Sequence, residues 1–450
     1  MNQPPDIATI KQLAAQGDSI AQYNFGVWLI KNGPRSEITQ EAQQWLLQSA
    51  KQGFAPAQVT MGSIFLQLLD HEYNPAKAVY WFEKAALQGS ADAQYRLADL
   101  RAISAGIDED FQLTRSGLEQ AAAQNHPAAL CQLAYCVDHG VGGAADPAKA
   151  TQTWMRAADQ GAARAASNLG WRYQAGFTVN QDPVLALAWY LRAQVADYPG
   201  ASPAVAALVD TLSDQEVNRA REMAAATIDH DEPTATDTGV LEFEVSALST
   251  SPRVTLLKKF FTIDECDHLV NIARPFMKPS KVITDSGQVG EDTVRTSEGS
   301  PVWDQIRDLV VYNMEKRMHE LSQTPMAHGE PIMVLHYGKG MEYRPHVDYF
   351  DPDVEHMKER HSRGGQRILT IIAYLSSVEA GGSTDFPRAD ISIAPIKGDA
   401  VMFSNVLDSG APDPLSEHAG TPVIEGDKWL ATRWIRESNW REPVQFEKPE

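Results

Sequence analysis

The chain has 450 residues, of which 43% are hydrophobic and 22% charged, and a formal net charge of −20. That length exceeds one hydrophobic core, so more than one domain is expected, and the composition is that of an ordinary globular protein. Residues 1–251 carry 16 basic and 28 acidic side chains, and residues 252–450 carry 23 and 31, so neither half has the basic footprint that nucleic-acid binding needs.

The N-terminal segment Met1–Gly17 has no basic stretch leading into an apolar one. No apolar run approaches the ~20 residues of a spanning helix. Three cysteines argue against a disulfide framework, and Cys131 and Cys136 read as buried small hydrophobes on one helix. These features set the expectation of a reducing, cytoplasmic location, with no membrane and no nucleic-acid partner.

From the start of the chain, one period dominates. Ala14, Ala50, Ala86, Ala122 and Ala158 share a phase at 36 residues, as do Gly17, Gly53, Gly89, Asn125 and Gly161, and as do Gly26, Gly62, Ala98, Ala134 and Gly170. Periods of this size mark solenoids of paired helices. Asn74, Asp110, Asp146 and Asp182 fall at the same spacing, and Pro75, Pro147 and Pro183 follow three of them. An Asn or Asp cap with proline at the first helical position predicts a helix start, and the Gly or Asn phase predicts its left-handed end. Small residues at Gly62, Ala98 and Gly170 predict close approach of paired helices, while Trp45, Trp81, Trp154 and Trp189 read as packing between repeats. The text Trp81-Phe82-Glu83-Lys84-Ala85-Ala86, then Gln88-Gly89 and Ala93-Gln94-Tyr95-Arg96-Leu97-Ala98, resembles the Sel-one-like subfamily of tetratricopeptide-like repeats. The resemblance implies an α-helical solenoid of about five 36-residue repeats and a surface that docks a protein or peptide. A purely structural role as a cap is the alternative.

The array with a final amphipathic helix is expected over residues 1–228, followed by an acidic, aperiodic linker at 229–240. From 241 to 444 the pattern changes to apolar runs of strand length separated by Gly- and Pro-rich turns. Leu241–Val245, Val254–Leu257, Met333–His336, Ile368–Leu375, Ile391–Ile393, Ala400–Phe403 and Trp429–Ile435 are the predicted strands, with helices at Ile263–Pro275 and Val302–Leu321. The whole reads as a multidomain α + β protein whose second half is a double-stranded β-helix, or jelly roll, with flanking helices.

Chemistry concentrates at Tyr343-Arg344-Pro345-His346-Val347-Asp348. If this segment is a strand, its period of two puts His346 and Asp348 on one face. A second imidazole, His418, completes the facial set of two histidines and a carboxylate that holds non-heme Fe(II). Lys428 opens a strand that places Lys428, Leu430, Thr432 and Trp434 on one face, and a buried lysine needs an anionic partner. A dicarboxylic keto acid meets that need. Two rivals have the same His-x-acid spacing: His230-Asp231-Glu232 in the linker and His328-Gly329-Glu330 in a turn.

The second half resembles the prolyl 4-hydroxylase branch of the Fe(II)/2-oxoglutarate dioxygenases. The resemblance rests on Tyr337, Gly340, Tyr343, His346 and Asp348, on Gly381-Gly382-Ser383-Thr384-Asp385-Phe386-Pro387, on Lys397-Gly398-Asp399-Ala400, and on His418, Pro422, Val423, Gly426, Lys428, Trp429 and Trp434. It implies His346, Asp348 and His418 as iron ligands and Lys428 as the anchor for the far carboxylate of 2-oxoglutarate. Tyr337 and Thr384 are implied as further cosubstrate contacts, and Arg295, Tyr343, Arg367 and Trp434 as substrate contacts. Fe(II), 2-oxoglutarate and O2 are the implied cofactor and cosubstrates, with ascorbate as accessory reductant. The implied reaction is hydroxylation of a prolyl residue in a protein or peptide, with release of succinate and CO2. The competing readings are hydroxylation of a free amino acid or small molecule, and a repeat scaffold carrying an inactive fold.

Overall fold

The computed structural model describes residues 6–33, 40–66, 73–103, 110–228, 233, 243–283, 289–291, 296–304, 306–351 and 354–440. The rival histidine His230 and nearly all of the expected linker lie outside these. The chain divides into two compact units, Met1–Ala162 and Ala163–Pro443.

The first unit is built from antiparallel helices whose ends are set by the 36-residue phases. The Asn74 side chain accepts from the Lys77 amide and Asp146 from that of Lys149, both at 3.0 Å, while Asp110 caps Gln112 and Leu113. At the other end Gly17, Gly53, Gly89 and Asn125 take positive φ values, which close each helix in the left-handed conformation. A side chain at Gly62 would put its Cβ 2.6 Å from the Phe82 ring, so glycine sets the approach of those two helices. Successive repeats are also tied by amide pairs at a constant offset: Gln52 donates to Gln22, Gln88 to Gln58 and Gln124 to Gln94, at 2.8–2.9 Å.

The second unit starts with the same helical grammar. Helices Ala163–Ala175 and Pro183–Val195 are followed by Ala201–Val209 and by Asp214–Ala225, which carries a Ser213/Glu216 capping box. These helices share their unit with the β-domain, and buried charges join them. Arg164 forms a double hydrogen bond to Asp264 at 2.9 and 2.6 Å, with side chains only 9% and 7% exposed.

The β-domain has two principal antiparallel sheets. The larger runs in spatial order Glu244–Thr250, Arg253–Lys258, Ala400–Ser404, Arg367–Tyr374, Lys428–Arg436, Met333–Tyr337, Glu298–Pro301 and Lys278–Pro279. The smaller runs Ile391–Ile393, Thr384–Phe386, His418–Gly420 and Tyr343–His346. Tyr337, Ile372, Tyr374, Phe386, Phe403, Val423 and Leu430 form the core of this jelly roll. Helices Ile263–Ala273 and Leu309–Ser322 flank it, as the sequence pattern predicts, although the second starts seven residues later than Val302 because Asp308 is its cap.

Candidate active site

Cross-strand register brings the predicted ligands together. In the smaller sheet His418 lies directly opposite His346, and in the larger sheet Lys428 lies opposite Tyr337. The strand expected to carry both His346 and Asp348 ends at His346, and Asp348 sits in the bend that follows. The two side chains converge nonetheless. One donor atom from each of His346, Asp348 and His418 lies within 4.8 Å of the others. Nε2 of His346 is 4.0 Å from Asp348 Oδ1, and Nε2 of His418 is 3.7 Å from Asp348 Oδ2.

The donor set fits a metal ion by its chemistry as well as its spacing. Nδ1 of His346 donates to the Arg344 carbonyl at 2.9 Å, and Nδ1 of His418 to that of Ser416 at 3.0 Å. Each ring proton is thereby fixed on Nδ1, which leaves the Nε2 lone pair aimed inward. Aromatic contacts hold the rings in place: Tyr343 stacks on His346 with 3.4 Å between centroids, and Phe403 meets His418 edge-on at 4.6 Å. Burial pushes the Asp348 carboxyl up, but in the metal-free site the charges His418 and His346 carry when protonated, that of Arg367 and a hydrogen bond from Thr370 together hold it below the usual carboxylate range.

A pocket of about 440 Å³ of empty space, counted to its mouth, opens beside the triad. Leu335, Tyr337, Ile372, Lys428, Leu430, Thr432 and Trp434 line it from the larger sheet, and Tyr343, His346, Thr384 and His418 from the smaller. Lys428, Leu430, Thr432 and Trp434 therefore share the face that their period of two dictates. Lys428 is 2% exposed, and among the described residues no carboxylate pairs with it. Burial lowers its pKa to about 8, against a small opposing push from Asp385. An ammonium held dry across a pocket from a metal triad is a receptor for an anion. Tyr337 lies beneath it, and the Thr384 hydroxyl, which accepts from Tyr374 at 2.9 Å, faces the same space.

The remaining residues picked out from sequence fall elsewhere. Arg295 lies outside the described residues. Arg367 is absent from the pocket lining; it makes a double hydrogen bond to Glu330 at 2.7 and 2.9 Å and stacks 4.0 Å over the Trp434 ring. Glu330 also binds Arg436, and His328 Nδ1 meets the Arg436 carbonyl, so the rival His-x-Glu pair is spent on holding the end of the Lys428–Arg436 strand. Sequence reasoning missed Thr370, whose hydroxyl donates to Asp348 Oδ2 at 2.8 Å, and Asn405, whose amide donates to Thr370 at 2.9 Å. The only sequence signal for Thr370 was its position on an otherwise apolar strand.

Iron on three protein donors leaves room for a keto acid to chelate it, and a buried lysine receives the acid's far end. That division of labour defines the 2-oxoglutarate-dependent dioxygenases, and this protein is one of them; Fe(II), 2-oxoglutarate and O2 are its cofactor and cosubstrates. The family model for the 2OG-Fe(II) oxygenase superfamily matches residues 332–436, and Sel1 repeats match residues 19–54, 55–90, 91–126, 127–161 and 163–193. Probable prolyl 4-hydroxylase 10 of Arabidopsis thaliana is 37% identical over 43% of this chain and 71% of its own length. Probable prolyl 4-hydroxylase 4 of the same plant is 39% identical over 43% and 70%. The chain belongs to the prolyl 4-hydroxylase family.

Proposed function

We propose that this enzyme hydroxylates a prolyl residue within a protein or peptide, converting 2-oxoglutarate and O2 to succinate and CO2 as it does so. Two observations support the reading. The relatives that span the second half are named as prolyl 4-hydroxylases. The wall beside the triad is aromatic, with Tyr343 and Trp434, and the buried Trp434 Nε1–H has no acceptor among the described residues. That wall would pack against a pyrrolidine ring, and the names of the relatives are the observation that carries the substrate class.

When bound, ferrous iron and the keto acid supply the oxidising power for C–H hydroxylation. The chain's own residues do the rest. His346, Asp348 and His418 hold the metal. Lys428, with Tyr337 and Thr384, orients the keto acid by its far carboxylate. Leu335, Ile372 and Leu430 keep water from the reacting carbon. Tyr343 and Trp434 contact the substrate, Arg367 supports that contact through the Trp434 ring on which it stacks, and Arg295 is kept as a substrate contact on the resemblance alone. The helical repeats furnish the docking surface for the polypeptide. Ascorbate serves as accessory reductant, and a reducing, cytoplasmic setting suits a chain whose three cysteines are all buried.

The test is mass spectrometry of proline-containing peptides after incubation with iron, 2-oxoglutarate and ascorbate. The expected product gains about 16 mass units for the inserted oxygen, matched by one succinate per product. Consumption of 2-oxoglutarate with no oxygenated proline in any peptide rejects the prolyl assignment.

A further inference from the structure

Two residues that touch no cosubstrate stand directly behind the carboxylate ligand. Thr370 and Asn405 are both 0% exposed. Thr370 sits on the Arg367–Tyr374 strand and places Oγ1 2.8 Å from Asp348 Oδ2. Asn405 follows the neighbouring Ala400–Ser404 strand. It is fixed on both sides by backbone bonds, its amide donating to the Ile368 carbonyl at 2.9 Å and its carbonyl accepting from the Asp413 amide at 3.0 Å.

Proton counting gives the relay a direction. A carboxylate that ligates a metal is an acceptor only, so the single Thr370 hydroxyl proton goes to Asp348. The Thr370 oxygen is then left to accept, and the Asn405 amide nitrogen, 2.9 Å away, supplies the donor. This also fixes which end of the Asn405 amide faces Thr370. The other end, Oδ1, is buried with no donor among the described residues, an arrangement that costs stability and leaves the N–H as the part in use.

We propose that Asn405 and Thr370 are positioning residues for iron. Together they hold Asp348 Oδ2 in a hydrogen bond and present the metal with one carboxylate oxygen rather than two. The consequence is stoichiometric. Two imidazoles and one oxygen leave three positions on an octahedral ion, enough for a chelating keto acid and O2. A chelating Asp348 would remove one of them.

The inference rests on the iron-binding reading above, and the experiment separates the two. Full-length protein is freed of metal and titrated with Co(II), followed by its visible ligand-field bands with and without 2-oxoglutarate. Outer hydrogen-bond partners of metal ligands are typically worth about 10–100-fold in affinity, so Thr370→Val is expected to weaken Co(II) binding at least tenfold and alter the bands. Thr370→Ser restores both, and Asn405→Leu falls between. The double variant Thr370→Val/Asn405→Leu binds no more weakly than Thr370→Val alone, because the relay acts as one unit. Thermal melts of the metal-free variants establish that each is folded, and Thr370→Ser keeps the question answerable if Asn405→Leu is not. The relay is overturned if Thr370→Val binds Co(II) with the affinity and spectrum of the parent, or if the Asn405→Leu loss adds in full to it. Failure of the parent protein to take up Co(II) or Fe(II) overturns the iron site itself, and the relay with it.

Discussion

With Tyr337 and Tyr374 rings for neighbours and no carboxylate in contact among the described residues, the Lys428 ammonium is stripped of water, which is why its pKa falls to about 8. The group is charged below that pH and neutral above it in the empty pocket. A bound dianion favours the charged form, so binding at higher pH must draw a proton from solvent. The KM for 2-oxoglutarate is therefore expected to rise as pH increases past about 8, approaching tenfold per unit. Lys428→Met removes the rise and weakens binding by about 10–100-fold, the worth of one charge-assisted hydrogen bond. A KM that stays flat from pH 7 to 9.5 in the parent protein would contradict this role. At the residue scale the sequence disclosed the groups that chemistry makes conspicuous, namely His346, His418 and Lys428. It concealed what surrounds them. In sequence Arg367 stands alone as an implied substrate contact, and only the structure adds Glu330, in the turn ahead of the Met333–Tyr337 strand, as its partner.

Elements were readable where the determinants are local. Asn74, Asp110, Asp146 and Asp182 each bond an amide two or three residues on, so spacing alone located those helix starts, and Asp182 holds the amides of Val184 and Leu185 at 2.9 Å. Asp182→Ala is expected to lower stability by about 1 kcal/mol, seen as a shift in the denaturant midpoint. An unchanged midpoint would mean the helix start is held by packing instead. The strand Lys428–Arg436 was readable because nine residues establish a period of two. The strands His418–Gly420 and Thr384–Phe386 are three residues long, too short to declare a period, and their place is set by partners distant in the chain.

On the scale of the whole molecule, the unit that carries the chemistry starts at Ala163, well before the change in composition near residue 229. The reason lies in pairings that no local pattern shows. Arg164 binds Asp264 across a hundred residues of sequence, and Gly200 has no side chain where a Cβ would strike the Asp267 carboxylate at 2.4 Å. Asp267 is itself buried and held by Lys397. Breaking a buried pair from one side strands the other charge, at a cost of about 3–5 kcal/mol. Arg164→Ala should therefore destabilise Ala163–Pro443 by that order in denaturant unfolding, and Arg164→Ala/Asp264→Ala should recover part of the loss. A surface-sized effect from the single variant would show that the helices and the β-domain stand apart energetically.

The strand Tyr343–His346 is the outermost of its sheet and meets its neighbour at two registered positions, His346 with His418 and Tyr343 with Gly420. One of those two rungs is a pair of metal ligands. An ion seated there acts as a rivet through the lip of the cavity, fastening a margin that two backbone rungs alone leave loosely sewn. Loading the metal would thus also stiffen the rim of the cavity.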